Sequence, residues 1–280
     1  MRYHEHPLPH YTFETLDTFP ELFHAVFTRR GGVSPKPWHT LNLGWMVGDD
    51  PRRVEMNYRR VASVVGMPRE ALTTTWQVHG NTILVADADH RGKSLGKADG
   101  LITQTPGIPL LQRYADCTPI LLYDPEHRAA GIAHAGWQGV VARTAEAAVR
   151  AMTAAFGSDP SRMVAAVGPA IGPCCYEVGP EVVAAIRDTQ RDPDDLLRPS
   201  DRAGHAYLDL WEANARQLRD AGVGTVEVAG LCTACHTDIF FSHRGEQGRT
   251  GRFGAVIMLR PELGRDKFSS EDILSPIGYP

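Results

Sequence analysis

The apolar positions of this chain fall into a few long stretches with helical spacing and many short runs. In four of the stretches, apolar residues recur with the three-to-four residue period of an amphipathic helix. Aspartate, proline or glycine residues of the kind that begin or end helices flank these stretches. The predicted helices are Asp50–Val65, Thr144–Phe156, Pro180–Arg187 and Leu208–Ala221. The first has Pro51 in its opening turn, where the missing N–H of proline costs no hydrogen bond.

The short apolar runs predict strands, because they are too brief for helices and end at turn-forming residues. They are Thr73–Val78, Thr82–Ala86, Leu101–Thr103, Pro119–Tyr123, Ala129–His134, Met163–Gly168, Thr225–Ala229, Phe240–Ser242 and Ala255–Leu259. Strands and helices are mixed without strict strand–helix alternation. The pattern therefore predicts an α+β fold, with central mixed β-sheets in a sandwich-like arrangement, flanked by helices, in a single domain.

Composition and charge restrict the class of protein. A chain of 280 residues with 42% hydrophobic and 22% charged residues can bury a large core and is typical of a globular protein. The net charge is −4 and no long basic run occurs, so neither a nucleic acid nor a membrane surface is an expected partner. The sequence shows no export signal and no apolar run of transmembrane length, and we expect a cytoplasmic location.

Three polar residues lie where the pattern predicts a turn or the end of a strand. His79 lies in a turn, Cys117 directly precedes an apolar run, and His134 ends another. A side chain at the end of a strand can project into a cleft while the strand fixes its position. Two imidazoles and a thiolate suit Zn²⁺ and leave a fourth position open. Their wide spacing does not exclude an ordinary surface histidine or a buried core cysteine.

Ordered sequence blocks extend this interpretation. They are Thr28–Ser34, Leu41–Gly44, Trp76–Gly80, Ala98–Gly100, Ala115–Pro119, His134–Gly139, Gly168–Pro173, and a last block from Cys232 through Phe241–Arg244 to Thr250–Arg252. Together they resemble the family first described as multicopper polyphenol oxidases, or laccase-domain proteins, and later recognised as purine nucleoside phosphorylases. A run of ordered blocks is far more specific than a single motif. The chain is identified as a member of this family.

The resemblance implies an activity and a ligand set. It implies one zinc ion per chain, held by His79, Cys117 and His134. It implies phosphorolysis of adenosine, inosine, guanosine and methylthioadenosine, with deamination of adenosine, so purine nucleosides and phosphate are the expected partners. It also implies an α+β fold similar to a Cys–His toxin catalytic domain. We expect a monomer or weak homodimer, with an N-terminal extension (1–20, partly ordered), a catalytic domain (21–262) and a C-terminal tail (263–280).

The matching blocks also supply candidates for binding substrate and phosphate. These candidates are Arg29, Asn42, Arg244 and Arg252. The three arginines carry guanidinium groups, which suit phosphate oxygens. In the family the His-Ala-Gly-Trp sequence often continues with arginine, whereas Gln138 stands there in this chain. If that arginine helps to hold an anion in relatives, phosphate binding must depend on other residues here.

Asp116, next to Cys117, is a candidate for moving a proton during catalysis. The alternative is that its carboxylate caps local backbone N–H groups at the start of a strand. The sequence leaves both roles open.

Two other cofactors deserve comparison with zinc. Cys232–His236 matches the C-x-x-C-H haem pattern, but haem is not expected without export, and neither is a redox role. Copper is not expected either, since a multicopper oxidase needs several His-x-His pairs and His4 and His6 form the single pair. The adjacent Cys174 and Cys175 are predicted to pack in a glycine-rich turn.

Two further functions remain open at this stage. One is a Cys–His hydrolase or amidase acting on a peptidoglycan precursor, with Cys117 as nucleophile and a histidine as its base. The other is a metal-dependent module that binds a partner without turnover. Metal analysis separates the hydrolase from the zinc enzyme, and nucleoside turnover with phosphate separates either enzyme from the binding module.

Overall fold

The structure is a computed structural model that describes residues 1–261. Its α-helices are α1 (Pro51–Val65), α2 (Trp137–Val141), α3 (Thr144–Phe156), α4 (Pro180–Thr189) and α5 (Leu210–Asp220). Its strands are β1 (Arg2–His4), β2 (His10–Thr12), β3 (Leu22–Phe27), β4 (Thr74–Trp76), β5 (Ile83–Val85), β6 (Ser94–Lys97), β7 (Gly100–Thr103), β8 (Leu110–Tyr114), β9 (Thr118–Asp124), β10 (Ala129–Ala135), β11 (Val164–Val167), β12 (Glu177–Val178), β13 (Leu197–Pro199), β14 (Ala206–Leu208), β15 (Thr225–Val228) and β16 (Phe253–Leu259).

Two large sheets form the centre of the fold. One is antiparallel, in the order β1-β2-β3-β16-β8, and the other is mixed, in the order β15-β11-β9-β10-β7-β5. Parallel pairs lie at both edges of the mixed sheet, between β11 and β15 and between β5 and β7. Side chains from both sheets meet in one core, where Tyr114 and Ile257 pack with Leu121 and Ile132. The strands of this centre position the site described below.

Helices cover the outer faces of the two sheets. Helix α1 places Val61 against Val256 on the antiparallel sheet. Helices α3 and α5 place Met152 and Leu218 against Leu122 on the mixed sheet. The α+β prediction with sandwich-like mixed sheets flanked by helices is therefore confirmed. Within residues 1–261, no helix combines the length and the apolar character needed to cross a bilayer.

The predicted helices agree with the observed ones to within a few residues at their ends. Helix α1 begins at Pro51, with Asp50 accepting a hydrogen bond from the Arg52 N–H at 2.9 Å. It ends at Gly66, whose φ of 75° is left-handed and suits glycine. Helix α5 begins two residues later than predicted, because the Asp209 carboxylate caps it by accepting from a backbone N–H in its first turn.

The predicted strand at Phe240–Ser242 is wrong. Phe240 donates its backbone N–H to the carbonyl of His236, as in a turn, at 2.9 Å. Phe240 and Phe241 are fully buried because they fill the core between the sheets. An apolar run that is buried from a turn has the same pattern as a short buried strand, which explains the error.

The first twenty residues contribute to a sheet. Strand β2 pairs with β3, and β1 pairs with β2 at the edge of the antiparallel sheet. The sequence did not predict these strands, because their histidines and tyrosines do not alternate with apolar residues. The division of the chain at residue 20 remains a prediction, and the predicted tail at 263–280 lies outside the described residues.

His24 in β3 is a buried histidine that accepts a hydrogen bond. The backbone N–H of Phe13 donates to its Nε2 at 2.8 Å, and the residue is 4% exposed. Burial lowers the pKa of His24 to about 4, against the opposing charge of the Asp17 carboxylate. Because the folded pKa is below the unfolded value of 6.5, neutral His24 stabilises the fold fully above pH 6.5. This stabilisation is lost as the pH falls from 6.5 towards 4.

We expect His24→Gln to make the protein less sensitive to acid. Glutamine can accept the Phe13 N–H but does not titrate, so its stability should fall less between pH 7 and pH 4. Between pH 7 and pH 4 the unaltered protein should lose about 3 kcal/mol more unfolding free energy than the variant, a value that follows from the size of the pKa shift. Urea unfolding of both proteins across this pH range measures it. If the unfolding free energies of the two proteins fell equally with pH, the role assigned to His24 would be contradicted.

Candidate metal centre

The fold brings His79, Cys117 and His134 together at one place. Their ligand atoms all lie within 4.8 Å of one another. Cys117 directly precedes β9, and β9 pairs with β10 so that Thr118 lies opposite Ala135, next to His134. His79 approaches from the turn that follows β4. Three side chains remote in the sequence therefore converge.

A buried carboxylate, Asp99, organises two of these residues. Its Oδ1 accepts from His134 Nδ1 and from the His79 N–H, both at 2.9 Å. Its Oδ2 accepts from the N–H groups of Val78 at 3.1 Å and Gly80 at 2.7 Å. His79 has a left-handed φ of 62°, so these bonds hold a strained turn. An ionised carboxylate only accepts, so His134 donates from Nδ1, and Nε2 is the ring nitrogen left to bind a metal ion once the ion displaces its proton.

The electrostatics of the site favour a thiolate. Burial alone would raise the pKa of Cys117, but the charge of His134 and hydrogen bonds from His134 and His79 lower it to about 6. Burial opposes protonation of His134, but the Cys117 thiolate and the bond to Asp99 raise its pKa to about 9. Burial likewise acts to raise the pKa of Asp99, but hydrogen bonds, the one from His134 foremost, keep it below its ordinary value. Metal ligation requires a thiolate, so Cys117 is suited to it at neutral pH.

Gly136 leaves the room that Cys117 needs. A Cβ added to this glycine would lie 2.7 Å from the Cys117 Sγ, far inside van der Waals contact. The residue directly after β10 must therefore be glycine for the thiol to face the two imidazoles.

The Asp116 carboxylate has two partners within the protein. Its Oδ1 accepts from the Thr233 hydroxyl and its Oδ2 from the Arg244 backbone N–H, each at 2.7 Å. Asp116 is buried with a left-handed φ of 83°, directly before Cys117. Both partners are remote along the chain, so the carboxylate does not cap local backbone N–H groups and instead holds two distant segments in place.

The three converging residues lie at a cavity of ≈ 670 Å³. This volume is within the range of small-molecule sites. Aromatic and cationic side chains share its lining with the candidate ligands; they include Trp45, Trp76, Arg113, Tyr176, His243, Arg244 and Arg252. The cavity therefore offers flat apolar surfaces and positive charge beside the candidate metal centre.

Two of the four predicted substrate- or phosphate-binding residues line this cavity, and two do not. Arg244 and Arg252 line it. Arg29 is buried elsewhere, where its Nη1 donates to Glu246 Oε1 at 3.0 Å. Asn42 is also buried, and its Oδ1 accepts from the Arg252 backbone N–H at 2.9 Å. Asn42 thus acts on the cavity indirectly, by holding the backbone of Arg252.

Several lining residues, Arg113 among them, were not predicted from the sequence. Arg113 lies in β8, with its Nε donating to Gln77 Oε1 at 3.3 Å and its Nη2 to the Thr75 carbonyl at 2.5 Å. The available signal was an arginine two residues after the apolar pair Leu110 and Leu111, just before the Cys117 block. Gln138 is exposed on α2 and is not among the lining residues.

Comparison with other sequences supports this description. A profile of the family described as multi-copper polyphenol oxidoreductase laccase matches residues 23–260. A purine nucleoside phosphorylase of Deinococcus radiodurans is 42% identical over 242 residues, covering 86% of this chain and 91% of the relative. Purine nucleoside phosphorylase YlmD of Geobacillus stearothermophilus is 38% identical over 247 residues, covering 85% and 90%.

Solved structures share the fold. The hypothetical protein YfiH of Bacillus licheniformis superposes with a TM-score of 0.87 at 32% identity, covering 92% of this chain and 99% of that one. YlmD of Geobacillus stearothermophilus superposes with a TM-score of 0.83 at 37% identity, covering 87% and 93%. The fold, the ordered sequence blocks and the matched length agree. The chain belongs to the multi-copper polyphenol oxidoreductase laccase family, in which it is similar to proteins named purine nucleoside phosphorylase.

Proposed function

We propose that this protein is a zinc-dependent purine nucleoside phosphorylase. The observation that carries the proposal is the convergence of His79, Cys117 and His134 at a cavity that Arg244 and Arg252 also line. Similar proteins named purine nucleoside phosphorylase support it. The proposed substrates are adenosine, inosine, guanosine and methylthioadenosine, and we include deamination of adenosine as a second activity.

The donor set fits zinc. Two imidazoles and one thiolate are three protein ligands of a catalytic zinc site, and Asp99 orients one imidazole as a carboxylate does in such sites. A zinc ion bound there would supply a Lewis acid with one position open to an oxygen of phosphate or water. Within residues 1–261, no other cluster of possible metal ligands contains histidine, whereas a multicopper enzyme needs several histidine-containing sites. We therefore favour zinc over copper.

The chain's own residues divide the remaining tasks. Arg244 and Arg252 line the cavity, and we assign their guanidinium groups to hold the negative charge of phosphate beside the nucleoside. Trp76 and Tyr176 offer ring faces on which a purine can stack. Asp116 is assigned as a positioning residue, because its two carboxylate oxygens hold Thr233 and Arg244.

We place the enzyme in the cytoplasm as a monomer or weak homodimer. The net charge of −4 supports a protein that works on small molecules without a nucleic acid or membrane partner.

A direct assay tests the proposed reaction. Purified protein is incubated with adenosine or inosine, with and without phosphate, and free base, ribose 1-phosphate and ammonia are measured. We expect base and ribose 1-phosphate in equal amounts only when phosphate is present. Ammonia should form from adenosine and not from inosine. Absence of phosphate-dependent base release from every nucleoside would refute the phosphorylase proposal.

The Cys–His hydrolase remains a second candidate because of one observation. Cys117, His134 and Asp99 form a thiolate, imidazole and carboxylate in the order used by cysteine hydrolases. This reading predicts hydrolysis of an amide in a peptidoglycan precursor by protein that has been freed of metal. The phosphorylase reading predicts zinc bound by His79, Cys117 and His134, and loss of activity when a chelator removes it.

Removing the cavity guanidinium groups should weaken phosphate binding selectively. We expect Arg252→Met to raise the KM for phosphate about 10- to 100-fold, which is the contribution of one charged hydrogen bond to binding. The rise should be smaller for Arg244→Met, because Arg244 is exposed. The KM for inosine should change less. The matched control is Arg219→Met, which removes an arginine paired with Glu212 on α5 and away from the cavity lining. Equal KM values for phosphate in all variants would contradict the assignment of Arg244 and Arg252 as phosphate-binding residues.

A further inference from the structure

A second group of possible metal ligands lies outside the cavity lining. It consists of Cys174, Cys175, Cys232 and Cys235, whose Sγ atoms all lie within 4.8 Å of one another. The Sγ of Cys235 is 3.5 Å from that of Cys174 and 3.4 Å from that of Cys175. The first two cysteines follow β11, and the other two lie in a turn after β15. The fold thus brings together the adjacent pair and the C-x-x-C pair, which are remote from each other along the chain.

We propose that these four cysteines bind a structural zinc ion. Four thiolates at about 2.3 Å from zinc form a tetrahedron whose S–S edges are about 3.8 Å. The distances of 3.4 and 3.5 Å lie close to that edge and far from a disulfide bond, which measures about 2.05 Å. Four protein ligands leave no open position, so the site would be structural rather than catalytic.

A backbone hydrogen bond prepares one thiol for this role. The Gly172 N–H donates to the Cys232 Sγ at 3.2 Å, an interaction that favours the thiolate form and orients a ligand sulfur. Cys232 is buried, whereas Cys174 and Cys235 are exposed, so one ligand is fixed and a metal ion reaches the others from solvent.

The cluster joins two segments that shape the cavity. Tyr176, directly after Cys175, lines the cavity. Thr233, directly after Cys232, donates to the carboxylate of Asp116 beside Cys117. A zinc ion that ties these segments together would stabilise the cavity wall. Its loss is expected to raise the KM for nucleoside more than it lowers kcat.

Metal analysis of the full chain tests the proposal. Protein produced with zinc in the medium and washed with a weak chelator is analysed for zinc per chain, beside variants of each cluster. We expect two zinc ions in the unaltered protein, one in Cys235→Ser and one in Cys117→Ala. Cys174→Ser, at an exposed thiol, gives a second variant should Cys235→Ser fail to fold, and it too should hold one. The expectation of a single zinc per chain would then be revised.

Cobalt substitution supplies a readout independent of activity. Co²⁺ bound by four thiolates gives much stronger sulfur-to-metal charge-transfer absorption than Co²⁺ bound by one thiolate. The strong bands should persist in Cys117→Ala and disappear in Cys235→Ser. A single zinc that is lost in Cys117→Ala and kept in Cys235→Ser would overturn the proposal. So would a thiol titration of freshly denatured, unreduced protein that finds a disulfide among the four cysteines. Either result leaves the phosphorylase proposal intact, because that proposal depends on the histidine-containing site.

Discussion

Replacing Cys117 by alanine is expected to lower kcat/KM for phosphorolysis by at least ~10³-fold, because the substitution removes a metal ligand and its charge from the reacting centre. The zinc held with His79 and His134 should be lost at the same time. Neither change should require unfolding, since Cys117 precedes β9 rather than lying within it. Parallel assays of zinc content and inosine phosphorolysis measure both effects.

The matched control for this variant is Cys174→Ala. It removes an exposed thiol that is not among the cavity-lining residues, so zinc should remain at the histidine-containing site and kcat should be largely kept, with only the rise in the KM for nucleoside that follows from losing the four-cysteine zinc. A folded Cys117→Ala protein that keeps full phosphorolysis would disprove the assignment of the metal centre. A variant that keeps its zinc at this centre but loses activity would instead favour Cys117 as a nucleophile.

Asp99→Asn is expected to weaken zinc binding about 10- to 100-fold, the usual effect of losing a carboxylate that orients a metal-binding histidine. Asparagine offers one acceptor oxygen in place of two. If its NH₂ group faces Val78 and Gly80, it meets two N–H donors. If it faces His134 instead, the ring must accept at Nδ1 and carry its proton on Nε2. Either arrangement damages the centre, and kcat/KM should fall with the affinity.

A buried carboxylate at the end of a strand of the mixed sheet provides a control for Asp99→Asn. Asp124 at the far end of β9 is also fully buried, accepts from His127 Nδ1 at 2.8 Å and accepts from the Glu126 N–H. Asp124→Asn should destabilise the fold to a similar degree while leaving zinc affinity unchanged. Titration against a competing chelator, with urea unfolding of each variant, separates the two effects. Equal affinity in the Asp99 and Asp124 variants would contradict the role of Asp99.

The sequence predicted the parts of the site that depend on local pattern. Cys117 and His134 border apolar runs, and these runs are neighbouring strands that bring the two side chains together. The left-handed turn at His79 and its attachment to Asp99 could not be predicted, because the contact joins segments that are remote along the chain. Asp99 lies within a block shared with the family, but a carboxylate alone does not reveal its partners.

The remaining errors also have physical causes. Arg113 was missed because the function of a lone cation within a strand is evident only when the opposite wall of the cavity is known. Phe240 was assigned to a strand because burial from a turn and burial from a sheet select the same apolar residues. Arg29 was predicted to bind phosphate because it lies in a family block, but its guanidinium donates to Glu246 in the interior.

Because Asp99 supports one imidazole directly and the other through its backbone, the two histidines are not independent parts. A substitution in the turn at His79 alters the hydrogen bonds of the same carboxylate that fixes the tautomer of His134. Transplanting this centre into an unrelated scaffold would therefore need four residues, and copying the imidazoles and the sulfur alone would leave both rings free to turn.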